Sequence, residues 1–189
     1  MVIASGMTER RALPHLLRRL VENEGLELME VRIPPRHRQL TNRLASQLVC
    51  AAWYDRAETE RPDKFVVLID ADGKDVVRLL REFGDVTGSP TITASVRVAA
   101  AQWHLEAWFF ADHHGLRKAV GRNLGRIERN ADDIQNPKER LKSLLEQPYT
   151  AEWAERLARA VDPSVVESRS PSFASFVAAV RNGGNARVV

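Results

Sequence analysis

The stretch Lys64-Phe65-Val66-Val67-Leu68-Ile69-Asp70-Ala71-Asp72-Gly73-Lys74 decides the fold. Residues 65–69 are apolar without a break, mostly β-branched or aromatic, and read as a short strand buried on both faces. The strand ends in two acids separated by one residue, followed by Gly73. An open parallel sheet places its ligand site just past the carboxyl ends of its strands. Two carboxylates there repel each other unless a positive charge lies between them, and a hard divalent cation such as Mg²⁺ takes oxygen ligands. Asp-Ala-Asp-Gly is also good turn chemistry by itself. Both readings stand at this point.

Outward from this strand the chain alternates between strand and helix patterns. Residues 1–5 are a short apolar lead that reads as a first strand. Gly6 follows, and from Thr8 the period becomes helical, with Leu13, Leu16, Leu17, Leu20 and Val21 on one face. Thr8 is the expected N-cap, with Glu9 complementing the dipole in the first turn. Pro14 either kinks this helix or marks its true start. A strand, a glycine turn and a helix N-terminus in series form a ready anion site, or simply an ordinary βα unit. Gly25 ends the helix, residues 26–33 alternate imperfectly as a second strand, and Pro34-Pro35 stops it. Arg36-His37-Arg38 reads as solvated loop charge in preference to a phosphate contact.

Residues 40–57 form a second helix, with Leu40, Leu44, Leu48, Ala51 and Ala52 as its apolar stripe, and residues 75–83 a third. Gly84 and Gly88-Ser89-Pro90 punctuate the exit, and residues 91–101 read as a fourth strand. It runs into the aromatic segment Gln102-Trp103-His104-Leu105-Glu106-Ala107-Trp108-Phe109-Phe110-Ala111-Asp112. Helices follow at about residues 116–120, 137–145, 151–160 and 172–180, with Pro137 at N1 after an Asn136 cap. The end, Asn182-Gly183-Gly184-Asn185, is expected to fray. The order βαβαβαβ followed by helices predicts an α/β fold: a mainly parallel sheet of about four strands with flanking helices and a helical C-terminal half. We expect a single domain over residues 1–189, with an α/β core at 1–112 and a helical extension at 113–181.

Composition sets limits. The 189 residues are 44% hydrophobic, enough for a core and too many for disorder. Lys and Arg total 28 against 25 Asp and Glu, a mild basic bias that does not by itself establish a nucleic-acid partner. The single cysteine, Cys50, lies in an apolar helical context and reads as a buried, inert thiol that fits a reducing cytosol. No apolar run approaches the roughly 20 residues of a membrane span, and no signal peptide is visible, so a cytoplasmic, membrane-free protein is expected. The patterns for ATP-binding loops, Gly-x-Ser-x-Gly elbows and His-Glu-x-x-His are missing, which argues against ATP hydrolysis by this chain alone.

Several pieces of the chain form an ordered set. They are Ser5-Gly6-Met7-Thr8-Glu9-Arg10, Val66-Val67-Leu68-Ile69-Asp70-Ala71-Asp72-Gly73, Leu105-Glu106-Ala107-Trp108-Phe109-Phe110-Ala111-Asp112, Asn136-Pro137-Lys138-Glu139 and Ser170-Pro171-Ser172-Phe173. Together the set resembles the Toprim-like bacterial family catalogued as a domain of unknown function, number 4276 in that series. The resemblance implies a Toprim-type fold related to topoisomerase, primase and OLD-type nuclease domains. It also implies an ATPase partner encoded nearby, in operons of the anti-phage type. Carried over by residue, Asp70 and Asp72 match the Asp-x-Asp that would bind Mg²⁺ or Mn²⁺. Glu106 matches the Glu-Ala-Trp acid, Asp112 the acid closing that segment, and Gly6 the glycine at the first strand end.

One position departs from the Toprim pattern. Ser5 stands where those domains usually carry a glutamate that acts as general acid/base. A serine hydroxyl cannot serve as a carboxylate base near neutral pH and brings no charge to a metal. Glu9, one helical turn on, is a substitute, although a first-turn glutamate is more often a surface residue. Glu106 is the better one, and Asp70, Asp72 and Glu106 would still suffice for a metal site.

The remaining candidates are weaker. His113-His114 beside Asp112 invite a transition-metal reading, but adjacent side chains point apart and structural roles are favoured. His104 and Glu106 would share a face only on a strand. Trp53, Trp103, Trp108 and Trp153 sit in apolar patterns, so packing is the default; base stacking needs an exposed platform that a sequence does not show. Arg117-Lys118, Arg122, Arg126 and Arg129 form either a phosphate-contacting or a solvated helical face.

The expected function is therefore a Mg²⁺-dependent Toprim-like nuclease or phosphoryl-transfer subunit of an ATPase-linked defence system. Asp70 and Glu106 would be catalytic; Asp70, Asp72 and Glu106 would hold metal; Ser5, Gly6, Glu9 and Asp112 would line the site. Nucleic acid is the expected substrate, and a homo-oligomer is left open. The competing expectation is a catalytically degenerate domain that binds and regulates a partner ATPase. A small-ligand or nucleotide-binding α/β domain is the third.

Overall fold

The computed structural model describes residues 1–21, 24–35, 38–84, 86, 89, 91–125 and 128–181. Arg36, His37, Gly88, Pro90, Arg126 and the 182–185 tail, each singled out above, lie outside them. Four strands, β1 (Val2–Ile3), β2 (Val31–Arg32), β3 (Lys64–Asp70) and β4 (Ser95–Ala101), form one sheet in the order β2-β1-β3-β4. Every pairing is parallel. The fold class read from the sequence is the fold observed.

Helices cover both faces: α1 (Met7–Val21), α2 (Asn42–Tyr54), α3 (Val76–Phe83), α4 (Glu106–Phe109), α5 (His113–Val120), α6 (Pro137–Leu145), α7 (Ala151–Ala160), α8 (Pro163–Arg169) and α9 (Pro171–Arg181). The pleat of β3 divides the core in two. Val66 and Leu68 point into a cluster with Leu13, Leu16 and Leu17 of α1 and with Trp108, Leu157 and Phe173. Phe65, Val67 and Ile69 point the other way, onto Val49, Ala52 and Trp53 of α2 and Phe83 of α3. Alternate residues face opposite sides of a strand, so an unbroken apolar run serves two cores at once. The C-terminal helices complete the first layer: α7 packs along α1 and α9 against β4. Trp108 anchors that layer, edge-on to Phe173 at 4.8 Å between ring centroids and stacked on Phe176 at 5.6 Å.

Local differences from expectation have local causes. Only Val31–Arg32 of the predicted second strand pairs, because its neighbour β1 is itself two residues long; Val2 N–H and Ala4 N–H donate to Glu30 O and Arg32 O at 3.1 and 2.9 Å. α1 begins at Met7, and the Thr8 hydroxyl donates to Glu9 Oε2 at 2.9 Å instead of capping the helix. Pro14 lies within the helix without ending it. Asn136 precedes α6 in left-handed backbone, φ 49°, and makes no side-chain cap, while Pro137 takes N1 as expected. Helix α8 was not anticipated, although Asp162 caps it through Ser164 N–H and Pro163 fills its first turn. Cys50 is half-buried against the second core, less enclosed than its context suggested.

Candidate functional site

The carboxyl ends of β1, β3 and β4 lie side by side. The register pairs Val2 with Val66 and Asp70 with Ala101, so the last residue of β3 stands beside the end of β4. After β1 the chain bends through Ser5 and Gly6 into α1, where Gly6 O accepts from Arg10 N–H at 3.1 Å. Glu9 sits in that first turn and is only 2% exposed. Its side chain folds back over the bend: a Cβ on Gly6 would meet Glu9 Oε2 at 3.4 Å. The first-turn acid expected at the surface is thus inside. A glutamate that merely complemented the dipole would have stayed in water.

Asp70-Ala71-Asp72-Gly73 forms the turn that its composition allows. The backbone turns tightly, with Lys74 N–H donating to Ala71 O at 2.9 Å and with Asp72 and Gly73 at φ 50° and 74°. The turn leaves Asp70 facing inward and Asp72 outward. Asp72 is about half exposed, and its Oδ1 lies 3.0 Å from His104 Nε2. Burial and the nearby Lys138 charge lower the His104 pKa. The neutral ring then donates Nε2–H to Asp72, leaving the buried Nδ1 as an unpartnered acceptor.

Past β4 the chain runs straight into α4, which begins at Glu106. Glu106 is 0% exposed, and neither carboxyl oxygen has a hydrogen-bond partner. The nearest cation, Lys138 Nζ on α6, is 3.9 Å from Oε2, beyond hydrogen-bond reach. Tyr149 brings its buried hydroxyl beside Glu106, near enough for each group to shift the other's protonation but outside hydrogen-bond geometry. Buried polar atoms without partners are rare, and several at one place mark a site built for something else.

The electrostatics agree. Burial first, then the charges of Glu9, Glu106 and Asp72, raise the Asp70 pKa to about 8, with Lys138 opposing. Burial likewise raises Glu106 to about 7, against Lys138 and with Glu9. Burial and the Glu106 charge push Tyr149 upward. Near neutral pH the cluster therefore keeps protons that ordinary carboxyls have shed. A divalent cation supplies the charge those protons supply.

The fit to a hard cation is one of chemistry. Glu9, Asp70 and Glu106 are oxygen donors and form the inner group, with Gly6 and the Ser5 bend at its edge and Asp72 at its rim. Among the described residues, no three His, Cys, Asp or Glu side chains stand in a geometry that holds an ion as they are. Closure around one requires side-chain rotation. Asp112 is not in the group. Its Oδ1 accepts from His114 N–H and Gly115 N–H, and its Oδ2 from Asp162 N–H at 2.7 Å, so it caps α5 and ties it to α8.

Sequence reasoning gave no site role to Lys138 or Tyr149. Lys138 carried one signal: a cation in the first turn of a helix opposes the dipole, which favours acids there. Its position beside Glu106 accounts for the exception. Tyr149 lies in the connection before α7 and carried none.

An all-parallel α/β sheet with a cluster of buried and half-buried carboxylates at the carboxyl ends of its strands is the class that fold and site define. More particularly, the chain belongs to the family described as Domain of unknown function (DUF4276), whose model matches residues 6–181. No curated protein and no solved structure matches it. No helix among the described residues is long and apolar enough to cross a membrane.

Proposed function

We propose that this protein is a Mg²⁺- or Mn²⁺-dependent, Toprim-like phosphoryl-transfer subunit, a nuclease that works with a partner ATPase in phage defence. One observation carries the reading: Glu106 is wholly buried with neither carboxyl oxygen in a hydrogen bond and Lys138 Nζ 3.9 Å away, beside the raised-pKa Asp70 and the buried Glu9. The adjacency of β1 and β3 supports the Toprim likeness, because it brings an acid from the first βα unit against Asp70. Asp70, Glu106 and Glu9 would hold the ion, with Asp72 at the rim. Glu9 thereby supplies the carboxylate that Ser5 cannot.

When bound, such an ion stabilises charge on phosphoryl oxygens and lowers the pKa of water. Lys138, partly exposed and 3.9 Å from Glu106, would bind a phosphate oxygen at the mouth of the cluster. His104, oriented by Asp72, holds an acceptor nitrogen at the same edge. Glu106 lies in a wholly buried stretch with Leu105, Trp108 and Phe109, away from bulk water.

The test is calorimetric titration with Mn²⁺ together with cleavage of labelled DNA and RNA, with and without the ATPase. The wild type should bind Mn²⁺ and cut, and the Asp70→Asn and Glu106→Gln variants should do neither. If the wild type binds no Mn²⁺ and leaves both nucleic acids intact with the ATPase present, the reading is wrong. Ser5 favours a second reading, in which the domain only binds and regulates the ATPase. Asp70→Asn would then leave ATPase binding and phage protection unchanged.

A further inference from the structure

A groove of about 520 Å³ adjoins the carboxylate cluster at the same end of the sheet, and its lining has a chemistry of its own. Gln102, Trp103, Asn130, Asp133, Gln135 and Pro171 form most of it. Gln102 and Trp103 are also the residues onto which the Asp-x-Asp turn docks. Gly73 N–H donates to Gln102 O at 2.9 Å and Asp72 N–H to Trp103 O at 3.3 Å. Groove and cluster thus meet at Gln102 and Trp103, which line the groove on one side and hold the 71–74 turn on the other.

Among the described residues the lining contains amides, carboxylates and one aromatic ring, and no Lys or Arg. Such a surface repels phosphate, so the groove does not take the charged part of a nucleic acid. It suits a flat, uncharged group rich in donors and acceptors. Trp103 is half-buried, and the edge of its six-membered ring is set against Gly73, where a Cβ would come within 2.4 Å of Cη2. The ring is therefore held in place before any ligand arrives, as a stacking surface requires. Asn130 Oδ1 already accepts from Asp132 N–H at 3.0 Å and Gln102 Nε2 already donates to Lys74 O at 3.4 Å, so each keeps one amide N–H and a lone pair to offer, as Gln135 offers donors and acceptors and Asp133 acceptors alone. Asn130 Nδ2 steadies Asp133 Oδ1 at 3.4 Å.

We propose that this groove receives one unstacked base of a single-stranded nucleic acid whose neighbouring phosphate lies at the carboxylate cluster. The inference rests on the phosphoryl-transfer reading and adds to it the substrate class. A base within a duplex keeps both faces covered by its neighbours, so only an unpaired, splayed base offers a face to Trp103. The Asp133 carboxylate favours bases carrying an exocyclic amino group, and thymine and uracil have none.

The experiment measures anisotropy of fluorescein-labelled 12-mers, oligo-dC, oligo-dT and a mixed-sequence strand with its duplex, in Ca²⁺ to suppress cleavage. Mn²⁺ binding is measured on the same preparations. The single strand should bind at least tenfold tighter than its duplex, and oligo-dC several-fold tighter than oligo-dT. Trp103→Ala should lose about tenfold for the single strand and little for the duplex, with Trp103→Phe retaining most of the affinity. Because Trp103 also packs on Gly73, exposed Asp133 provides a second handle: Asp133→Asn should bring oligo-dC and oligo-dT together while the thermal melt stays unchanged. Equal affinity for strand and duplex, or a Trp103→Ala variant that binds as the wild type does, overturns the proposal. Mn²⁺ binding without strand preference rejects the groove alone; Trp103-dependent strand binding without Mn²⁺ binding rejects the metal reading and leaves the groove standing.

Discussion

Trp103 lies where a side chain on Gly73 would have to go: a Cβ there would come within 2.4 Å of Cη2 and 2.7 Å of Cζ3. Gly73 also sits at φ 74°, in the left-handed region. The turn after β3 and the ring after β4 are thus fitted to each other. Gly73→Ala must bear both the left-handed penalty of about 1 kcal/mol and an overpacked contact, together about 2–4 kcal/mol. In a Trp103→Ala background only the backbone part remains, about 1 kcal/mol. Urea denaturation of the four proteins in the cycle checks this, and additive losses would show that the contact is not what makes glycine necessary.

Much of this arrangement was legible in the sequence, and the reasons differ by residue. The run from Phe65 to Ile69 showed a strand covered on both sides, and the pleat indeed sends Val67 and Leu68 to different cores. Asp70 was legible because a buried strand ending in an acid is locally anomalous. Glu9 was placed among the site-lining residues, but its burial was not legible, because it comes from the bend at Gly6 that folds the side chain toward Asp70 and not from the local pattern. Asp112 was misjudged for the opposite reason: an acid between an aromatic run and a helix is as good a cap as a ligand, and here its partners are main-chain N–H groups of residues 114, 115 and 162.

Asp132 shows how a piece of the family-like pattern earns its place. Its carboxylate accepts from Ser170 Oγ at 2.7 Å, Ser172 N–H at 2.7 Å and Ser172 Oγ at 2.8 Å, while Trp108 Nε1 donates to Ser172 Oγ at 2.8 Å. This clasp fixes the start of α9 to the 130–133 wall of the groove and to the Trp108 anchor. Asp132→Ala leaves three buried donors without their acceptor, and the expected loss is about 3 kcal/mol or more. Asp132→Asn keeps the shape but converts part of the acceptor into a donor facing donors, so it should also be destabilised. Thermal melts read both, and a loss within about 0.5 kcal/mol for Asp132→Ala would show that the clasp is dispensable.

The pH dependence of stability follows from the raised carboxyls. Asp70 moves from an ordinary 3.8 to about 8, and Glu106 from 4.5 to about 7. Between those limits the folded protein holds protons that the unfolded chain has released. Stability from these groups is therefore fully present below about pH 4 and is lost as pH rises through 7 and 8. His104, whose pKa is lowered, acts oppositely and weakens the fold as pH falls through the histidine range. In EDTA the melting temperature should drop between pH 6 and 8.5, and Asp70→Asn should flatten that drop. Added Mn²⁺ should restore more stability at pH 8 than at pH 6. A melting temperature that rises across this range in EDTA would contradict the assignment.

Glu9 and Asp112 separate site from scaffold, since both are buried acids beside helix starts, 2% and 7% exposed. Glu9 shares its surroundings with Asp70 and Glu106, and the Thr8 hydroxyl donates to it at 2.9 Å. Removing its charge in Glu9→Gln relieves repulsion, so the metal-free protein should melt at the same temperature or higher. Mn²⁺ affinity should fall about tenfold or more, because a hard cation loses an anionic oxygen donor. Asp112→Ala strips acceptors from three main-chain N–H groups, two at the start of α5 and one at Asp162. It should cost about 1–3 kcal/mol in denaturant melts and leave Mn²⁺ affinity unchanged. Calorimetry with Mn²⁺ on the two folded variants decides between the roles. A Glu9→Gln protein that binds Mn²⁺ as the wild type does would remove Glu9 from the site and leave Ser5 without a substitute.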